Sequence, residues 1–502
     1  MEALSQALSD YRPESAWEAV VLVAVLCVVL RAVLTLVDFA LHPKAPPRSN
    51  GIFPVLSNAI GFASHPVKFI EKRFRQSGPV FTCSFGAVNL TFLIGPDASA
   101  PFYKAKDDQL DQGQVYGFMT PVFGRDVVYD APLVKRQHQI RQTAVALRSS
   151  RLEQYVPMIV KETVQFTKAW GNEGSLDVLT DLSVLTIMTA SRCLHGDDVR
   201  ENMFDEVSRL YHDLDKGITP LSFFWPTAPT AAHAKRDAAR VEMMRLFTRA
   251  LEKRDAESTE EQQTKTDLLQ VYKDMVYKDG SKNTPHHVTG MLIALLFAGQ
   301  HTSSITSTWV TIYLAHNPDI QQRCREEVQA ALTAAAGTGK EDADVSFEAI
   351  QHMELLGSCV KEVLRLHPPL IMLMRKAIAD IPVDLGKGEP KYVIPKGDIV
   401  IACPAVSQRL ESVFTEPDKF DPDRFMPPRE EHAKKPYSFM GFGGGIHQCI
   451  GQQFGLVQVK TIVSYLLLNF EFEAVDPVPE CNYEAMVVGP KDGTHVKYRR
   501  RI

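Results

Sequence analysis

The residues best suited to do chemistry lie near the C-terminus, in Phe442-Gly443-Gly444-Gly445-Ile446-His447-Gln448-Cys449-Ile450-Gly451. Three adjacent glycines reach backbone conformations closed to other residues and let the chain approach a large, flat ligand. Cys449 stands just ahead of an apolar stretch with helical periodicity. The N–H groups and dipole at a helix start stabilise a thiolate there. A second candidate group is Ala298-Gly299-Gln300-His301-Thr302, inside a long apolar helical pattern. A glycine in a helix interior costs about 1 kcal/mol, so its presence calls for a reason. Histidine is the residue type that relays protons near neutral pH. A third is Glu362-Val363-Leu364-Arg365, whose two charges lie one helical turn apart and can pair. Each group has a plain reading when taken alone: a glycine turn with a buried cysteine, a packing glycine, a surface ion pair.

Together they carry more. The full spacing F-x-x-G-x-H-x-C-x-G resembles the haem-thiolate signature of the cytochrome P450 family at every defining position. The resemblance implies a haem b cofactor with Cys449 as its axial iron ligand, a thiolate that pushes electron density toward O–O cleavage. It directs His447 to a porphyrin carboxylate. It makes Glu362, Arg365 and Arg424 (in Pro422-Asp423-Arg424-Phe425) a triad that holds the fold, with Asp423 where the family usually has glutamate. It also assigns Gly299 to an opened groove for O2 and Thr302 to proton delivery. His301 departs from the acidic residue of most relatives, and Ala298 to Ser304 closely resembles sterol 14α-demethylases. A relaying histidine needs a carboxylate partner, and Asp215 in Tyr211-His212-Asp213-Leu214-Asp215-Lys216-Gly217 is the candidate.

The likeness to sterol 14α-demethylases recurs in the aromatic run from Val115 to Pro132. By that resemblance Tyr116 and Tyr129 bond haem propionates, and Phe118, Met119 and Phe123 line the cavity with Ala294 and Ala298. Leu370, Met372, Met374, Met486 and Val487 would also face substrate, and Arg375 a propionate. The family places a basic residue after Tyr129 where this chain has Gln137; Arg136 or Arg141 is the substitute. Phe118 matches plant-like relatives, which favours a 4-monomethylated sterol such as obtusifoliol over lanosterol. An apolar cavity with few polar groups suits a rigid, nearly all-carbon ligand.

These residues need a scaffold. Hydrophobic patterns predict a helix at 65–76, a hairpin of strands at 80–85 and 88–94 around Gly86, and helices at 151–171, 200–216, 233–254 and 285–316. Residues 254–283 read as an exposed connection. Helices follow at 318–336 and 346–367, strand-like runs at 372–403, a loop to about 436, and a last helix at 450–469. The expected class is mainly α with a small β-subdomain assembled from both ends of the chain, the cytochrome P450 fold. The chain has 502 residues, a net charge of −5 and eight cysteines, none in a C-x-x-C pair. Nothing there points to nucleic acid or to a disulfide framework, and the cysteines read as reduced.

Ala19 to Val37 form a run interrupted only by Arg31, long enough for one N-terminal transmembrane helix. Acidic residues precede it and Lys44 and Arg48 follow, which places the body in the cytosol. A cleaved signal peptide would need a basic start. The expected organisation is an anchor at 1–42, a proline-rich linker at 43–54 and a catalytic domain at 55–502. The resemblance further implies residence at the endoplasmic reticulum membrane, azole inhibitors, and electrons from NADPH through a separate reductase, since no flavin or nicotinamide fingerprint is present. The competing expectations are a haem-thiolate monooxygenase acting on another lipid and a non-catalytic haem- or sterol-binding protein.

Overall fold

The computed structural model describes residues 25, 26, 29, 33, 40–48, 54–86, 88–265, 267–336, 345–386 and 388–501. The expected membrane helix at 19–37 lies almost wholly outside these residues. Among them, helices of ten residues or more are α1 (Pro54–Ser64), α2 (Pro66–Ser77), α3 (Leu133–Ala146), α4 (Ser149–Thr167), α5 (Val178–Ala190) and α6 (Phe204–Lys216). They continue with α7 (Ala231–Asp255), α8 (Pro285–His316), α9 (Pro318–Ala336), α10 (Glu354–Leu366) and α11 (Gln452–Asn469).

Helix α8 is the axis of the molecule. It starts where Thr284 Oγ1 accepts from the His287 N–H and Pro285 takes the first turn, where a missing N–H costs nothing. It is long and apolar enough to cross a membrane, yet it is wrapped by protein: Leu292, Ile293, Leu296, Trp309, Val310 and Ile312 are all buried. Helices α5, α7, α10 and α11 pack around it. An element apolar on nearly every face is stable only when every face is covered.

The β-region joins the two ends of the chain, as the pattern implied. Strands β1 (Val80–Phe85) and β2 (Val88–Leu93) form the expected hairpin, Gly86 turning at φ +79°. With β3 (Leu110–Asp111), β4 (Leu373–Ala377) and β5 (Ile399–Ala402) they make one sheet in the order β1-β2-β5-β4-β3. Only β2 and β5 are parallel, Leu90 facing Ile399 and Leu93 facing Ala402. The linker is partly pinned to the β-region: Thr82 N of this sheet donates to Pro47 O, and Val393 N of a separate two-stranded hairpin (Ile381–Asp384 with Lys391–Ile394) donates to Lys44 O.

Three element expectations change. The 200–216 helix breaks at Met203, leaving Asp197–Asn202 and α6. The 346–367 helix divides into Phe347–Gln351 and α10, and Glu327 of α9 accepts from the N–H groups of Leu355 and Leu356 to satisfy the new start. Within 254–283, Leu268–Asp274 is a helix with Leu268, Leu269 and Tyr272 buried, not an exposed connection. Asp267 caps it and also holds Arg254, so its order comes from contacts too distant for a local pattern to show.

Candidate active site

The cysteine loop is shaped by its glycines. Gly443 and Gly445 take φ of +67° and +68°, and a Cβ on Gly445 would stand 1.8 Å from the Tyr103 carbonyl oxygen. No other residue fits there. The loop closes as Cys449 N donates to Phe442 O at 2.9 Å, and α11 begins three residues on. Cys449 is open to solvent although burial pushes its thiol pKa up, against a Gly451 N–H that pulls it down. Ile446 and Ile450 beside it are exposed at 61% and 43%, an apolar margin that a flat apolar ring would cover.

On α8 the buried faces are broken by one stripe. Ala298 is exposed and His301 and Thr302 are half-buried, at spacings of three and four that put them on one side. The helix does not open at Gly299. It stays continuous, and the space comes from the missing side chain, where a Cβ would meet only Leu194 at 3.9 Å. Thr302 Oγ1 donates to the Ala298 carbonyl at 2.7 Å. Gly455 in the first turn of α11 approaches Ser303, the neighbour of Thr302, so the start of α11 packs on this part of α8. His301 Nε2 lies 3.1 Å from Asp215 Oδ1 at the end of α6, the pairing expected from sequence.

A cluster of cations and hydroxyls stands beside the cysteine loop, with Arg375 and Arg136 both close enough to act on His447. Tyr116 and Tyr129 stack at 5.0 Å, and burial keeps both phenols protonated donors. Tyr116 Oη accepts from Met374 N, which leaves its own proton free to donate. Arg375 is buried and has no ion-pair partner among the described residues; burial brings its pKa down to about 10. A buried guanidinium without a counter-charge is costly, so the site fits a group that brings carboxylates, as haem does. Arg136 is buried beside Tyr129, held by Asp111 Oδ1 at 3.3 Å, whereas Arg141 is exposed; of the two substitutes only Arg136 faces this site. His447 Nε2 stands 2.9 Å from Asp107 Oδ1, and Gln137 Nε2 donates to the other Asp107 oxygen at 3.5 Å. Asp107 carried no signal in the sequence, being one of two adjacent acids in a loop.

The apolar candidates divide. Phe118, Met119 and Phe123 are buried in the main core, with Phe123 edge-on to Phe297 at 5.9 Å. Val487 and Ala294 pack half-buried against the same core. The Val488 N–H donates to Pro369 O, which brings the Met486-Val487 turn beside exposed Leu370. Met372 and Met374 are half-buried against the sheet cluster around Phe81 and Ile401, a different environment. Phe223, in a short turn after α6, lies 4.1 Å from Phe118 and was missed; the apolar run Leu221 to Trp225 was its only signal.

Behind the cysteine loop, Glu362, Arg365 and Arg424 have fully buried side chains. Arg365 donates to both Glu362 oxygens at 2.7 and 2.9 Å, and Arg424 Nε to one at 3.0 Å. Glu431, unforeseen, adds a second carboxylate to Arg424 at 2.8 Å, so two acids balance two buried guanidiniums. Asp423 points outward to Arg323, which explains why its shorter side chain leaves the triad intact.

A family model described as Cytochrome P450 matches residues 46–498. The chain is 43% identical to Sterol 14-demethylase of Arabidopsis thaliana, covering 91% of this chain and 92% of that one. It is 42% identical to Obtusifoliol 14-alpha demethylase of Triticum aestivum (91% and 99%) and 35% identical to Lanosterol 14-alpha demethylase of Mus musculus (94% and 90%). Among solved structures, retinoic acid bound cyanobacterial CYP120A1 superposes with a TM-score of 0.77 at 21% identity, over 91% of this chain and 99% of that one.

Proposed function

The chain belongs to the cytochrome P450 family, and from that premise we propose that it is a sterol 14α-demethylase that prefers obtusifoliol-like substrates to lanosterol. The observation that carries the reading is identity of 42–43% across 91% of the chain with plant demethylases of that name. Three successive oxygenations convert the 14α-methyl group through alcohol and aldehyde to formate and leave a 14,15 double bond. Haem, when bound, supplies the O2 activation that such oxygenation requires.

The chain's own residues do the rest. Cys449 offers the thiolate. Arg375, Arg136, Tyr116, Tyr129 and His447 hold carboxylates at the cleft edge by charge-assisted bonds. Asp215 lies at the water-exposed end of a route on which His301 carries protons inward. Thr302 passes them on by releasing its bond to the Ala298 carbonyl. Phe118, Met119, Phe123, Ala294, Ala298, Leu370, Met372, Met374, Met486 and Val487 enclose the sterol. Electrons come from NADPH through a separate reductase, azoles inhibit, and the body faces the cytosol from the endoplasmic reticulum membrane.

The test is product analysis with reductase, NADPH and both sterols. Formate and the 14,15-unsaturated sterol should form, faster from obtusifoliol. A sterol-induced haem spectral shift with no product would favour a binding protein instead. Asp215→Asn should slow turnover with the ferrous–CO spectrum intact; unchanged turnover would remove His301 and Asp215 from the proton route.

A further inference from the structure

Two contacts tie α6 to α8 at the proton route, and they differ in kind. Asp215 and His301 form a rung that is partly open to water, with side chains 38% and 24% exposed. One turn earlier on the same face of α6, Tyr211 Oη donates to Gln300 Oε1 at 3.0 Å, with both residues buried. Gln300 immediately precedes His301. The Tyr211 ring lies 4.7 Å from Phe297 and 5.5 Å from His301, against the imidazole itself. Burial raises the Tyr211 phenol well above its ordinary value, ahead of a smaller push from Asp215, so it stays a donor throughout the working pH range.

We propose that Tyr211 and Gln300 are positioning residues, a buried rung that holds α6 in the one rotation and register in which Asp215 reaches His301. An exposed ion pair contributes little by itself, because water and side-chain entropy offset its attraction. It cannot fix two helices. A single contact is also a pivot, about which α6 could turn or slide; a second contact one turn away removes that freedom. The buried bond is the one with a penalty for breaking, since the Gln300 amide would lose its phenol partner in a dry setting. The Tyr211 ring adds a wall that limits how the imidazole can swing. The inference rests on the reading of His301 and Asp215 as the proton route.

The experiment is a double-mutant cycle on the haem-loaded full-length enzyme with Tyr211→Phe and Asp215→Asn. Tyr211→Phe keeps the ring and removes only the hydroxyl. It should lower kcat about three- to tenfold, leave the sterol KM, the sterol-induced spectral shift and the ferrous–CO band unchanged, and cost nothing further when Asp215 is already Asn. Gln300→Met, which removes the acceptor from the other end, should repeat the pattern and stands in if Tyr211→Phe folds poorly. Unchanged kcat in both variants, or losses that multiply with that of Asp215→Asn, would overturn the proposal and leave a merely structural contact. If Asp215→Asn alone leaves turnover unchanged, the proton route itself fails and takes this inference with it. If Asp215→Asn slows turnover while Tyr211→Phe and Gln300→Met do not, only the positioning role falls.

Discussion

Phe118 closes against Phe223 with ring centroids 4.1 Å apart and planes inclined by 37°. The contact bridges the aromatic run before α3 to the turn after α6, so the size of residue 118 sets how closely those segments approach. A pocket wall discriminates one methylene by about 1–3 kcal/mol, or roughly 10–200-fold. The C4 methyl that separates obtusifoliol from lanosterol is a difference of that size. Phe118→Leu should therefore raise the ratio of lanosterol to obtusifoliol kcat/KM by about tenfold, and an unchanged ratio would assign the selectivity elsewhere. Single residues also show where reading by type succeeds. Cys449 and Gly445 were legible because only one residue type fits each place. Arg136 and Arg141 were not separable, because which of two arginines on one helix turns inward depends on what packs beside it.

At the scale of elements, α10 is locked to the loop from 408 to 431 by a charge cluster. Arg365 donates to the carbonyls of Gln408, Pro417 and Lys419, and Arg424 to those of Thr415, Glu416 and Lys419. Side chains fully removed from water need every partner, and Glu362 supplies two oxygens to four N–H donors, two from Arg365, one from Arg424 and Asp421 N. Glu362→Gln would leave two guanidiniums facing one carboxylate. Breaking a buried pair costs about 3–5 kcal/mol, so denaturant titration should show a loss of that order and weakened haem retention. Asp423→Glu, at the exposed Arg323 pair, is expected within about 0.5 kcal/mol of the parent; equal losses in both variants would contradict the division between buried triad and surface pair. The pairing of Glu362 with Arg365 followed from helical spacing. Glu431 did not, because it reaches Arg424 across a loop where no helical or strand period sets the geometry.

Across the whole molecule, β2 pairs with β5 over a separation of some 300 residues, so the β-region forms only when the helical body has brought both ends of the chain together. One body carries the cleft, and residues 44–48 already bond to it at Thr82 and Val393. The expected anchor before residue 43 would then be separable from the fold. Removing residues 1–42 should leave the ferrous–CO spectrum unchanged while releasing the protein from the membrane fraction, and the full-length chain should resist alkaline carbonate. Release of the full-length chain by carbonate would reject the anchor. From its residue types and spacing alone, the chain determined its fold class, the cysteine loop, the Glu362–Arg365 pair and the candidacy of His301 and Asp215. All are local, set by backbone sterics, helical periodicity or a short motif. Only the tertiary structure decided that Asp215 reaches His301, that Arg136 rather than Arg141 is buried beside Tyr129, that Glu431 completes the buried cluster, and that Tyr211 and Gln300 stand beside the His301–Asp215 pair. Those outcomes depend on which faces of distant helices meet, and that is settled by burial summed over the whole core rather than by any neighbour in sequence.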